Sequence, residues 1–191
     1  YTFFEPWVKK CKTDEERKLR SGKGAYNIFK LFYFILATAW GWQTLKDQPW
    51  FPTYLGGKGD YGLMWEGYPY QKHCHHLGEY QRILMGYHVG GLIFHFMDAR
   101  RNDFLEMLLH HTVALYLYGG SYMFNVWETG AVIAYIHDLS DITVSIIKII
   151  AETEYKKTTA VLFVLHMILW FYLRNMVFPY LIYTCWITPI D

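Results

Sequence analysis

Five stretches of this chain, at about 25–45, 77–97, 104–124, 128–150 and 158–186, are long and apolar enough to cross a hydrocarbon core, which takes roughly 20 helical residues at about 1.5 Å rise each. Inside a bilayer the backbone must satisfy its own hydrogen bonds, so such stretches pack as helices. The sequence therefore predicts an all-α, polytopic transmembrane helical bundle of about five spans. The last stretch is too long for one simple crossing, and Pro179 is expected to end or kink it, because proline lacks a backbone donor and clashes with the preceding turn. A soluble bundle fits poorly: only 18% of the residues are charged and 20% are aromatic, and the predicted helices show no consistent polar face. Cys11, Cys74 and Cys185 form no CxxC pair, which excludes a disulfide scaffold. No stretch has the layout of a signal peptide.

The net charge of +1 says little, but its distribution orients the chain. Residues 1–24 form a basic segment holding Lys9, Lys10, Lys12, Arg17, Lys18, Arg20 and Lys23, and residues 25–191 form the transmembrane domain. Threading the spans puts Arg100/Arg101 and Lys156/Lys157 on the same side as that segment, which the positive-inside rule makes cytosolic, or matrix in a mitochondrial membrane. The loop from Lys46 to His76, rich in Trp, Tyr, Pro and Gly, falls on the opposite side as an aromatic interfacial cap.

Ionisable groups inside spans are costly and mark candidate sites. One predicted helix carries the adjacent His110 and His111; the next carries His137, Asp138 and Asp141, with Lys148 two turns on. Counting helical rise, His110 lies about 9 Å and Asp141 about 14 Å from the basic side, so the two clusters share a depth. His137 and Asp141 are four apart and share a helix face. An imidazole oriented by a carboxylate takes a proton from a nucleophile or is itself acylated. Adjacent His110 and His111 point about 100° apart, and spacing alone does not decide which faces a pocket. His88, His95 and His166 read as structural hydrogen-bonding residues. A Zn or Fe site on the imidazoles and carboxylates is the competing reading. The run His73-Cys74-His75-His76 reads as loop, since consecutive residues rarely converge on one ion.

From Arg100 to Lys148, the order Asp-Phe, His110-His111, Ser121-Tyr122, Asn125, Gly130, His137-Asp138, Ser140-Asp141, Lys148 resembles the signature of ceramide synthases in the TLC-domain membrane family. The likeness extends to Gln48-Pro49-Trp50-Phe51, Trp65-Glu66-Gly67-Tyr68-Pro69, Asp98 and Phe178-Pro179-Tyr180, and so covers nearly the whole chain. It implies part of a helical barrel around a long lipid-holding cavity, and an N-acyltransferase moving a fatty acyl group from acyl-CoA to the amine of a sphingoid base. The residues matching the family's activity-linked positions are His110, His111, Asp138 and Asp141, with His137 beside them. No bound cofactor and no metal ion are expected; acyl-CoA is the co-substrate. Cytosolic Lys and Arg either attract the CoA phosphates or only set topology.

Glu128 stands where the family usually has a basic residue, and Ser145 where it has Glu. The chain is also expected to begin just before the family's second span and to stop where another membrane helix follows, so that a missing segment or partner membrane subunit closes the bundle. These departures support an alternative: a non-catalytic TLC-fold accessory subunit of a larger membrane complex, such as a mitochondrial respiratory one. A sterol or lipid sensor is a third class. The enzyme reading implies the endoplasmic reticulum and the subunit reading the mitochondrial inner membrane. Lipid substrates, the membrane and partner subunits are the expected partners; nucleic acid is not.

Overall fold

The computed structural model describes residues 5–97 and 104–187; Asp98, Arg100, Arg101, Asn102 and Asp103 of the patterns above lie outside the described residues. All regular structure in them is helical. Helices α1 (Asp14–Leu45), α2 (Leu77–Met97), α3 (Phe104–Met123), α4 (Trp127–Ala151) and α5 (Lys156–Phe171) stand over the five apolar stretches, and each of the first four is at least 20 residues long. α4 and the run Lys156–Cys185 are long and apolar enough to cross a membrane. The other three are diluted by polar residues: Lys23 and Lys30 in α1, Arg82, His88 and His95 in α2, Glu106, His110 and His111 in α3.

Pro179 does not end the last helix, which runs on past it. α5 widens into a π-helical stretch, Tyr172–Val177, passes through α6 (Phe178–Ile182), and widens again at Tyr183–Ile187. Asn175, whose carbonyl the proline ring would strike in a regular α-helix, lies in the first widened stretch, and the wider turn makes room for the ring.

The chain packs as two compact units. The first joins Tyr1–Ala39 to Ile136–Tyr180. Here α1 starts earlier than its apolar stretch, because Thr13 caps it: Thr13 Oγ1 accepts from the Glu16 amide at 3.2 Å, and Asp14, Glu15 and Glu16 suit the positive end of the helix. Glu16 accepts from Arg20 at 2.9 Å, one turn on, and Arg20 reaches Glu152 at 3.0 Å. Lys9 donates its amide to Glu152 O at 3.0 Å and its Nζ to Ala151 O at 3.1 Å. The basic N-terminal segment is thus stitched to the turn that leads into Lys156 and Lys157, and these basic groups share one end of the unit. α5 is mostly unburied, showing Val161, Phe163, Val164, Leu165 and Ile168. Such a continuous apolar face suits lipid and not water.

The second unit joins Trp40–Tyr135 to Leu181–Asp191. Its loop between α1 and α2 is anchored from within: Trp50, Phe51 and Met64 are buried, and Phe51 meets Trp42 and Tyr135 edge-on, each at 6.1 Å between ring centres. α3 turns into α4 through Phe124-Asn125-Val126, with Asn125 in the left-handed region at φ 55°. The first turns of α4 come back against α3 so closely that a Cβ on Gly130 would lie 2.5 Å from Ser121 Oγ.

Candidate functional site

α2 and α3 form an antiparallel pair in the second unit, and their facing sides carry imidazoles. His111 is buried and His110 exposed, with ring centres 5.4 Å apart. His88 of α2, also buried, lies 6.0 Å from His110 and 5.8 Å from His111, and packs on the Tyr118 ring at 5.1 Å. His95, one helical face-repeat further on, lies 6.4 Å from His111, stacks on Phe104 at 4.3 Å, and its Nε2 donates to Phe104 O at 2.8 Å. A backbone carbonyl only accepts, so Nε2 of His95 carries a proton.

The structure thus answers the question spacing left open: His111 turns into the α2–α3 interface and His110 outward. His95 makes the structural hydrogen bond expected of it, to Phe104 O, and both His88 and His95 also pack against the α3 pair. The signal was present in the sequence, because residues 88 and 95 are seven apart, which puts them on one helix face.

His137, Asp138 and Asp141 lie on α4 in the first unit. His137 meets Phe178 edge-on at 5.6 Å. Asp138 is 3% exposed, and among the described residues no hydrogen-bond partner reaches its Oδ2. A buried carboxylate oxygen without a partner is uncommon and costly, which makes Asp138 a candidate for work beyond packing. The turn around it is tightly held. Ser140 Oγ donates to His137 O at 2.7 Å and accepts from Arg174 at 3.5 Å, while Ser145 Oγ donates to Asp141 O at 2.8 Å. Thr143 Oγ1 gives its proton to Ser140 O and accepts from His166 Nδ1, both at 2.7 Å. Ser145, where the family pattern has Glu, therefore serves the backbone of the acidic turn. The expected set divides by unit, the α3 histidines in one and the α4 residues in the other. Among the described residues no group of three or more His, Cys, Asp or Glu side chains is arranged to hold a metal ion.

The run at His73 is loop, as expected, and His73 within it makes long-range bonds. His73 Nδ1 lies 2.7 Å from Glu128 Oε1 and Nε2 lies 2.7 Å from Asn125 Oδ1, with the ring stacked on Trp127 at 4.2 Å. Asn125 is oriented by its Nδ2, which donates to Pro69 O at 2.6 Å. Gln71 donates to Asn125 O at 2.8 Å and lines, with His73, Cys74 and Glu128, an open cleft of about 480 Å³. Glu128, unusual for the family pattern, is thus 5% exposed and paired with His73.

Residues 24–190 match the TLC domain model. The chain belongs to the TLC-domain family. It is similar to ceramide synthase 4 of Mus musculus, 28% identical over 175 residues that cover 91% of this chain and 42% of that protein. It is likewise similar to ASC1-like protein 3 of Oryza sativa subsp. japonica, 29% identical over 179 residues, 93% of this chain and 60% of that protein. Ceramide synthase 3 of Homo sapiens is 26% identical over 181 residues, 95% of this chain and 45% of that protein. The chain thus spans about half the length of the curated relatives it matches. As a TLC-domain chain with apolar membrane helices it is an integral membrane protein, similar to ceramide synthases.

Proposed function

We propose that this chain carries the acyl-transfer centre of a ceramide-synthase-like N-acyltransferase, with His110 as the imidazole that meets the acyl donor. The observation that supports it most is the pairing of an exposed His110 with a buried His111 inside a cluster of imidazoles on one helical hairpin. In this reading an imidazole nitrogen attacks the thioester carbon of acyl-CoA, the C–S bond breaks, and CoA leaves as the thiolate. The amine of a sphingoid base then attacks the acyl carbon, the C–N bond to imidazole breaks, and the amine proton passes through the freed imidazole to the thiolate. No bound cofactor is needed. Asp138 and Asp141 enter through the resemblance and through the unpartnered oxygen of Asp138, and the endoplasmic reticulum membrane through the resemblance alone.

The test is ceramide formation by the purified protein from acyl-CoA and a sphingoid base, followed by mass spectrometry. The native protein is expected to form product, and His110→Ala to lose about 100-fold or more in rate, the scale of a general base or nucleophile. Asp138→Asn is assayed beside it. Equal background signals from native protein and His110→Ala reject catalysis, and lipid retained without turnover, in a stable complex with other membrane proteins, supports the accessory-subunit reading instead.

A further inference from the structure

His88, Gly91 and His95 follow one another on α2 at spacings of three and four, and so line one face of that helix. His111 enters this face ring first. A Cβ on Gly91 would lie 2.7 Å from His111 Cε1 and 3.2 Å from both of its ring nitrogens, so the imidazole occupies a notch that only glycine leaves open. His88 and His95 stand on either side of that notch along α2, with ring centres 5.8 and 6.4 Å from His111. The first turn of α3 is tied to the same helix, since Phe104 O accepts from His95. With its His111 ring seated and its first turn bonded, α3 cannot roll about its axis without driving an imidazole into the α2 backbone. Adjacent residues point about 100° apart on a helix, so seating His111 turns His110 away from α2.

We propose that the His88–Gly91–His95 face of α2 is a positioning seat: it holds His111 as a buried, non-reacting imidazole and thereby presents His110. His88, Gly91, His95 and His111 are positioning residues, and His110 alone touches the acyl donor. The kinetic consequence rests on the acyl-transfer reading; the seat itself is a statement about which imidazole is accessible, and it is tested without turnover.

In the native full-length protein, diethyl pyrocarbonate is expected to modify His110 about tenfold faster than His111, because reaction at His111 must wait for local opening of the helix pair. Peptide mass spectrometry distinguishes the two sites. Gly91→Ala forces the ring out of the notch, and since a side chain can swing where backbone cannot, the fold survives while the ring moves. His111 then reacts at a rate approaching that of His110. His88→Ala opens space beside the ring and gives the same direction of change. Gly86→Ala, on the same helix with nothing within 4 Å of its Cβ, leaves the pattern as it is. In turnover, Gly91→Ala lowers kcat by about 100-fold, the scale of a ring displaced by about 1 Å, with KM for acyl-CoA unchanged. A fall in kcat that tracks only the folded fraction measured on the same sample overturns the positioning role. Equal modification of His110 and His111 in the native protein, or no change in His111 reactivity in Gly91→Ala and His88→Ala, overturns the seat. Native protein with the predicted modification pattern and no ceramide formed leaves the seat standing and removes the acyl-transfer reading.

Discussion

Removing the His73 side chain is expected to be among the most damaging single changes in the loop between α1 and α2. Both ring nitrogens sit 2.7 Å from an oxygen, one of them the carboxylate of Glu128, whose side chain is only 7% exposed. A hydrogen bond to a charged group contributes about 1.5–3 kcal/mol and a neutral one about 0.5–1.5 kcal/mol. Stranding a buried charge by deleting its partner costs about 3–5 kcal/mol. The other donor to Glu128 among the described residues, Gln71 Nε2, is 3.4 Å away and already bonded to Asn125 O, so it does not replace the imidazole. His73→Ala is therefore expected to lose about 3–5 kcal/mol, which at about 2–4 °C per kcal/mol for a chain of this size lowers Tm by about 6–20 °C.

The assay is thermal unfolding of the detergent-solubilised protein, followed by tryptophan fluorescence, which Trp127 beneath the His73 ring reports directly. His73→Leu combined with Glu128→Leu discriminates the causes. If the loss comes from a stranded carboxylate, removing both partners restores more than half of it, because replacing both by apolar groups is nearly neutral. A Tm within about 2 °C of native for His73→Ala, or a double variant as unstable as the two single losses added together, refutes the reasoning.

Glu16 is held below the usual carboxylate range by its hydrogen bond from Arg20 and then by that from the Lys12 amide. Its grip on the Lys12 amide is fully present above that range and is lost as pH falls through the lowered value, so a nitroxide at position 12 gains mobility on acidification and is already more mobile than native at neutral pH in Glu16→Gln. Burial pushes the Cys74 thiol above its ordinary value, so maleimide labelling of Cys74 at neutral pH, read by mass spectrometry, is expected to be slow and to rise only beyond the usual thiol range. Gly130→Leu places bulk 2.5 Å from Ser121 Oγ and is expected to cost about 1–3 kcal/mol in the same melting assay.

The helices were legible because hydropathy and length act locally, and α2, α3 and α4 begin and end within a residue or so of their apolar stretches. The start of α1 lies in a charged segment where hydropathy carries no signal, although Thr13 with Glu16 three residues on is a helix-start pattern. His73 was unreadable for a different reason. Its partners lie 52 and 55 residues away, and nothing in a local run announces a contact of that range. The pairing also explains why an acidic residue at position 128 is tolerated in a buried place: the imidazole brought over it supplies the donor that a lone carboxylate lacks.

The polar residues that keep α2 and α3 from passing as spans on apolarity alone are the ones that make the pair specific. A helix with imidazoles at membrane depth is tolerated when those groups turn toward each other or toward water instead of toward lipid. α2 and α3 meet that condition for His88, His95 and His111, which face one another across the hairpin, while Ile93, Phe94, Val113 and Tyr116 point outward. His110 is the exception, exposed on a helix whose other histidine is sheltered. An exposed imidazole beside a sheltered one is costly in lipid unless its surroundings admit polar chemistry, so the position that weakens α3 as a membrane span is also the one that the proposed acyl-transfer reading makes the nucleophile.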